Sequence, residues 1–233
     1  MEKNQKKFKS SPKRFHPPGI SILYEDQDII VVDKISGLLT ISTERIKEHT
    51  VYFLLNEYVK KGNYKSKKRI FIVHRLDKDT SGLIVFAKNQ NSKKFLQENW
   101  HKFKKKYYGI ISGKLKAKEG TISTYLAENK IHKMYSVDNP KMGKLSKTGY
   151  KVLKESKKNS LLEIELFTGR KNQIRVHFFE KGCPIIGDKI YGLKNDKKKK
   201  LALHATMLSI IHPFTKQEMT FKSEIPKYFE IIK

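Results

Sequence analysis

Beyond Ile20 the chain runs as short apolar stretches broken by polar turns, the pattern of a sheet-rich fold. ISILYED and DIIVVDK predict two short strands around an acidic turn. KISGLLTIS predicts a loop that leads into an extended segment. HTVYFLLNEYVKK has helical spacing, with Phe53, Leu54 and Tyr58 on one side. RIFIVHRL and SGLIVFAK read as buried strands on either side of a polar connection. NQNSKKFLQENWHKFKK predicts an amphipathic helix with an asparagine or serine cap, Phe95 and Leu96 inward and lysines outward. KYYGIISGKL predicts another strand.

The middle, from Lys116 to Thr148, holds GTISTYLAEN and a lysine-rich stretch with little periodicity. GYKVLKES and SLLEIELFTG predict a hairpin around KKNS. RKNQIRVHFFEKG predicts a helix in which Ile174 and Phe178 share a face and Gly182 acts as the stop. GLKNDKKKK predicts an exposed basic loop, LALHATMLSIIHP a strand and IPKYFEIIK a short closing helix. Strands and helices mix without a βαβ rhythm. The expected class is α+β, with a mixed, largely antiparallel central sheet flanked by helices and loops. No repeat and no dividing linker is visible. The expected organisation is a basic tail over residues 1–19 and one domain over 20–233.

Charge adds a partner to this picture. Among 233 residues, 50 lysines and arginines stand against 23 aspartates and glutamates, a net charge of +27. Folding does not need that excess, so it points to a polyanion, most simply nucleic acid. Only six arginines are present, and Arg75, Arg170 and Arg175 fall in the two most distinctive stretches. Arginine supplies a planar fork where lysine supplies a point charge, which gives these three a geometric task. The one cysteine, Cys183, excludes an internal disulfide and a cysteine-based zinc site, and its apolar setting reads as buried filler. No apolar run is long enough to span a bilayer and no secretory core is visible, so the expected location is the cytoplasm.

Three stretches carry candidate chemistry. In VHRLDKDTSG, Asp77 followed by Thr80, Ser81 and Gly82 is good turn chemistry. Against that bland reading, His74, Arg75, Asp77, Asp79 and Thr80 crowd a loop between apolar strands, where catalytic groups tend to sit. In TGRKNQIRVHFFEKG, Arg175 and His177 point apart on a helix, while Arg170 and Gln173 can share a face. The bland reading is a solvated basic helix. The sharper one turns Arg175 inward to hold a buried Asp77 in its charged form. In KKKYYGIISG, Tyr107 and Tyr108 alternate across a strand, one for the core and one free to stack on a base. No metal, dinucleotide or phosphate-loop motif is present, so neither a metal nor a cofactor is expected. A non-catalytic RNA-binding protein and a metal-dependent phosphodiesterase using Asp77, Asp79 and Asp188 are the rival classes.

Together these stretches resemble the RluA-type pseudouridine synthases. HRLDKDTSGLIVFAKN is similar to that family's HRLDxxTSG motif, KKYYGIISG to its K-x-Y strand, and TGRKNQIRVHFFEKGCPIIGDKIYG to its TGRxHQIRVHxxxxGxPIxGDxxYG segment. LALHATMLSIIHP and ILYEDQDIIVVDKISGLL fit the family's late and early strands. The resemblance runs from about Ile20 to the C-terminus, in the family's motif order. Asn172 replaces the usual histidine of the third motif, and Lys34-Ile35 stands where Lys-Pro is common. The segment before Ile20 is too short for the S4 RNA-binding domain that many members carry, so a catalytic domain with a basic tail is expected.

The resemblance implies isomerisation of uridine to pseudouridine in ribosomal or transfer RNA, without cofactor or metal. It implies Asp77 as the catalytic carboxylate, acting at the ribose C1′ or C2′, with Tyr107 against the uracil and Arg175 paired to Asp77. His74, Arg75, Thr80, Arg170, Gln173 and Ile174 are the expected RNA- or substrate-binding positions. Arg75 would fill the gap left by a flipped base or grip a phosphate, and Ile174 would support the pocket wall. A monomer without an obligate protein partner and without a membrane is expected.

Overall fold

Alternating apolar positions build one sheet of eleven strands among the described residues. The computed structural model describes residues 12–42, 46–196, 198 and 200–230. In chain order the elements are β1 (Ile20–Glu25), β2 (Ile29–Lys34), α1 (Val51–Lys60), β3 (Phe71–Ile72), β4 (Ser81–Ala87), α2 (Gln90–Glu98) and β5 (Lys104–Ser112). There follow β6 (Glu119–Glu128), β7 (Met134–Val137), β8 (Lys144–Glu155), β9 (Asn159–Leu166), α3 (Gln173–Glu180), β10 (Leu203–Ile211) and β11 (Glu218–Lys222). The strand order is β1-β2-β4-β10-β5-β9-β8-β6-β7, with β3 beside β4 and β11 beside β10. All pairings are antiparallel except β4 with β10. The expected α+β class with a largely antiparallel sheet therefore holds.

β2 and β4 are apolar on both faces because both are covered. Ile30, Val32, Ile84 and Phe86 pack with Leu55 of α1, Ile164 of β9 and Phe178 of α3. The intervening Val31, Leu83 and Val85 pack on the other face with Leu96 of α2, Leu208 and Phe221. Thr50 caps α1 by accepting the Phe53 N–H at 3.1 Å, and Asn89 caps α2 by accepting that of Ser92 at 2.8 Å.

Several expectations change. α1 buries Val51, Leu55 and Val59 most deeply, whereas Leu54 and Tyr58 pack at its flank and Phe53 is half-buried. The strand read in RIFIVHRL shrinks to Phe71–Ile72, because the chain leaves the sheet to form the Asp77 loop. α2 ends at Glu98 and a 3-10 turn, Trp100–Lys102, takes its place. The lysine-rich middle forms β6, β7 and the start of β8, with β6 paired between the other two, and their outer positions face water and so hide the alternation. The closing helix reduces to a 3-10 turn at Lys227–Phe229, while 231–233 lie outside the described residues. Of the expected tail, residues 1–11 also lie outside them. Residues 12–19 include a 3-10 turn, Lys13–Phe15, and Gly19 accepts a hydrogen bond from the Ile35 N–H.

The two halves of the sheet meet at the single parallel seam, Ser81 opposite His204 and Gly82 opposite Ala205. Gly82 lies inside β4 rather than in a turn, with φ +112, and a Cβ there would overlap the Ala205 backbone. Beside it, Ser81 hydrogen-bonds His204 Nδ1 and the Tyr228 hydroxyl, both at 2.8 Å. His204 Nε2 meets Ser223 at 2.9 Å, and the Ser223 hydroxyl donates to Asp33. Gly82→Ala should therefore cost about 3 kcal/mol or more, read as a lowered urea midpoint.

Three framework histidines are held neutral. Burial pushes His74 down to about 3, with Lys105 adding to it, and pushes His177 and His204 down to about 4. The unfolded chain takes up these protons near pH 6.5 and the folded chain does not. Their stability is thus complete above about pH 6.5 and is lost as pH falls toward about 4. Calorimetry from pH 7.5 down to 4.5 should show a falling Tm and proton uptake on unfolding; a flat Tm would refute the assignment.

Candidate active site

Asp77 sits in the loop between β3 and β4, which closes on a Thr80 N–H to Asp77 carbonyl bond of 3.2 Å. The segment after β2 grips this loop from below. The Thr40 hydroxyl donates to the Leu76 carbonyl at 2.7 Å and accepts the Leu76 N–H at 3.2 Å. The Ser36 hydroxyl donates to the Asp79 carbonyl at 2.6 Å, and the Gly37 N–H to that of Lys78 at 2.9 Å. Four backbone groups of a short loop are thereby satisfied, which fixes it without regular structure.

Across the cleft, α3 presents Arg175. Its Nη1 donates to Asp77 Oδ2 at 3.2 Å and to Asn172 Oδ1 at 2.9 Å. Its Nε and Nη2 form a bidentate pair with Asp188, at 2.7 and 2.8 Å. Asp188 was placed in the sequence only within the rival phosphodiesterase, yet it is the guanidinium's main partner. Its side chain is 0% exposed, against 5% for Arg175 and 25% for Asp77. Burial alone would raise the Asp188 carboxyl. The Arg175 hydrogen bonds and charge, with the Tyr191 and Ile190 amides, hold it below the usual carboxylate range. Burial works against the Arg175 charge, but Asp188 and then Asp77 raise its proton affinity above the usual value.

Tyr107 lies on β5 and faces the same cleft, while Tyr108 packs in a separate cluster with Ile110 and Phe229. Burial, then the charge of Asp77, raises the Tyr107 phenol, so it stays protonated at neutral pH. The pairings Lys34–Gly82, Gly82–Ala205 and Ala205–Tyr107 form one rung across β2, β4, β10 and β5. Residues paired in this way point to one face. Glycine and alanine thus form a low floor between the flanking Lys34 and Tyr107, and the Asp77 loop lies over it.

Arg75, Thr80, Arg170, Ile174 and Asn172 also line this cleft. Asn172 starts α3 in the left-handed conformation, φ 53. His74 and Gln173 do not line it. The His74 ring stacks on Trp100 at 4.1 Å and accepts the Val85 N–H at 3.1 Å. Gln173 spends its amide on Thr168, the Arg170 N–H, Lys147 and Thr148. α3 itself is not the solvated helix considered from its charge: Gln173 to Phe178 are all buried. Asp77, Asp79 and Asp188 form no metal-type cluster among the described residues, and both Asp188 oxygens already accept from Arg175.

Residues 28–180 match the family described as RNA pseudouridylate synthase. The chain belongs to that family. It is 37% identical over 218 residues to the "uncharacterized RNA pseudouridine synthase MG209 homolog" of Mycoplasma pneumoniae, spanning 90% of this chain and 68% of that protein. It is 36% identical over 223 residues to ribosomal large subunit pseudouridine synthase D of Borreliella burgdorferi, spanning 91% and 67%. The solved structure of human RNA pseudouridylate synthase domain containing 4 is similar with a TM-score of 0.75 and 25% identity, covering 90% of each chain. The resemblance read from the motifs therefore holds. The family match spans Asp77, Tyr107 and Arg175 and ends before Asp188, so the buried pair joins residues inside and outside it.

Breaking that pair tests how far the synthase cleft depends on it. Asp188→Ala leaves Arg175 buried without its bidentate partner and should lower unfolding free energy by about 3–5 kcal/mol, measured in urea. A loss below about 1 kcal/mol would mean that Arg175 finds another partner.

Proposed function

We propose that this chain converts uridine to pseudouridine at specific sites in structured RNA, with Asp77 as the catalytic carboxylate. The observation that carries the reading is the convergence on one cleft of a partly exposed carboxylate, its buried guanidinium partner and an aromatic side chain. Family membership supplies the reaction. The uridine N1–C1′ bond breaks, the uracil turns, C5 bonds to C1′, C5 loses its proton and N1 gains one. Atoms and oxidation state balance within the nucleotide, so the isomerisation calls for no cofactor.

Positive charge develops at C1′ as the glycosidic bond weakens, which favours a carboxylate beside the sugar. Asp77 can attack C1′ or take the C2′ proton. Arg175 gives it a positively charged donor at 3.2 Å. Tyr107 stacks on the uracil, and its protonated phenol suits a hydrogen bond at the base or a relay for the C5 proton. The base must leave its stack at a cost of roughly a few kcal/mol. Arg75, exposed at the rim, fills the gap or grips a flanking phosphate, and Arg170 holds the opposite rim. His74 and Gln173 act through the framework, as they hold β4 and the segment before α3. The lysines add salt-dependent affinity. Ribosomal RNA stands first among substrates because a similar protein is named for the large subunit, with transfer RNA as the alternative. In this reading the enzyme acts as a monomer in the cytoplasm, and no described helix is long and apolar enough to cross a membrane.

RNA carrying 5-tritiated uridine, taken from cells that lack this protein, tests the reading. The intact protein should release tritium, and Asp77→Asn should lower the rate by roughly 10³-fold or more. Equal release from both would remove Asp77 from the chemistry. Tight binding without release from either RNA class would make the protein an RNA binder instead.

A further inference from the structure

At the end of α1 the chain runs KKGNYKSKKR, from Lys60 to Arg69, with six cations and no acid. The helix stops at Lys61, whose left-handed conformation lets its N–H donate to the Tyr58 carbonyl at 3.1 Å. A pinned turn follows. The Asn63 and Ser66 N–H groups donate to the Lys60 and Asn63 carbonyls, both at 3.0 Å. The Asn63 side chain accepts the Lys65 N–H at 3.0 Å, and Asn56 of α1 accepts that of Ile70 at 3.0 Å. Local bonds thus hold the backbone, while Lys61, Lys65, Lys67, Lys68 and Arg69 stand exposed.

Part of this charge has a local use. Lys60 pairs with Glu57 and, like Lys61, suits the negative end of the α1 dipole. The other four cations lie beyond the helix. Neither they nor Lys61 form an ion pair among the described residues. Arg69 lies over the Phe71 ring at 4.7 Å, which leaves its charge uncompensated. A groove beside the turn is lined by Lys61, Lys68, Arg69 and Lys88. Its one acid, Glu25, already accepts from Lys88 at 2.7 Å and from the Tyr58 hydroxyl at 2.9 Å. In the middle of the turn Tyr64 is 88% exposed and meets no other ring among the described residues. Like charges this dense repel one another, and folding gains nothing from them. A polyanion with unstacked bases answers both the charge and the tyrosine.

The turn also lies on the right side of the sheet. α1 packs in the cluster that holds Tyr107 and Ile174. Its first residues, Val51 and Tyr52, are bonded to Leu39 and Thr40, and Thr40 grips the Asp77 loop. Ten residues of helix carry the chain about 15 Å from there to the basic turn. We propose that Lys60–Arg69 is a second RNA contact: its unpaired cations hold phosphates of the strand that flanks the target, and Tyr64 stacks on one unstacked base. The cleft selects the nucleotide, and the turn adds affinity without reading sequence. That the strand flanks a target uridine rests on the isomerase reading; that the turn binds RNA does not.

Fluorescence anisotropy with labelled single-stranded oligouridine tests the contact, in an Asp77→Asn background so that no turnover intervenes. One triple variant changes Lys65, Lys67 and Lys68 to Gln. A control triple removes the same charge from Lys154, Lys157 and Lys158, exposed at the β8–β9 connection. At about 0.15 M salt the turn triple should bind about tenfold more weakly or worse, and its log–log salt slope should flatten by about 2. The control should stay within about twofold. Tyr64→Ala should weaken binding roughly fivefold or more at unchanged slope, and Tyr64→Phe should bind as the intact protein does. In the tritium assay the turn triple should raise KM about tenfold with kcat within about twofold, because the contact is made equally before and during reaction. Equal losses in the two triples overturn the contact, since charge anywhere would then serve. Full binding by Tyr64→Ala removes the stacking. A turn triple that keeps RNA but loses phosphatidylglycerol vesicles would make the turn a membrane contact instead. Binding through the turn without tritium release would keep this contact and sink the isomerase reading alone.

Discussion

Everything at the cleft depends on how closely two backbones approach at Gly82 and Ala205. The parallel seam there is two residue pairs long, yet it joins the β1–β4 half of the sheet to the half that carries β5, β8 and β9. The Asp77 loop leads into that seam from one side. Tyr107 is paired to Ala205 from the other. A side chain at position 82 would separate the halves, and with them the carboxylate, the aromatic ring and the buried lysine. The hydrogen-bonded chain from Tyr228 through Ser81, His204 and Ser223 to Asp33 secures the same junction from the opposite face. The site therefore draws its geometry from a tertiary join rather than from one local motif.

Electrostatics at the join follow a division of labour. The pair with deep burial and short bonds is Arg175 with Asp188; the pair that meets the cleft is longer, with Asp77 partly exposed. A guanidinium anchored by one carboxylate cannot swing toward the other, so Asp77 meets a fixed donor. That arrangement trades strength at the reactive carboxylate for preorganisation, which is what a catalytic group needs.

Much of this was legible in the residue pattern. The strands around the site, the cap of α2 and the three motif stretches follow from periodicity and turn chemistry. β2 even carried the signal for Lys34: Ile30, Val32 and Lys34 alternate onto one face, so the lysine had to point inward with the apolar pair. Asp188 was harder, since one acid inside PIIGDKIYG looks like a loop residue until α3 supplies its guanidinium. His74 and Gln173 looked like site groups from their neighbourhood, yet each spends its polar atoms on the scaffold. β11 and the strands β6 to β8 were obscured because many of their positions face water and lysine replaces alternation. α3 misled in the opposite sense: Gln173, Arg175 and His177 are internal, and no polar stripe marks the helix.

The position of β10 in the chain has a consequence for biosynthesis. β4 and β5 are translated early and lie near in sequence, but in the sheet β10 stands between them. The ribosome delivers β10 more than ninety residues after β5 begins. At about 5–20 residues per second, both flanking edges wait several seconds as unpaired strands. The nascent chain must keep that gap open, or shield it, until the late strand arrives and slides between them. An incomplete chain would carry every residue of the Asp77 loop without the floor on which it rests.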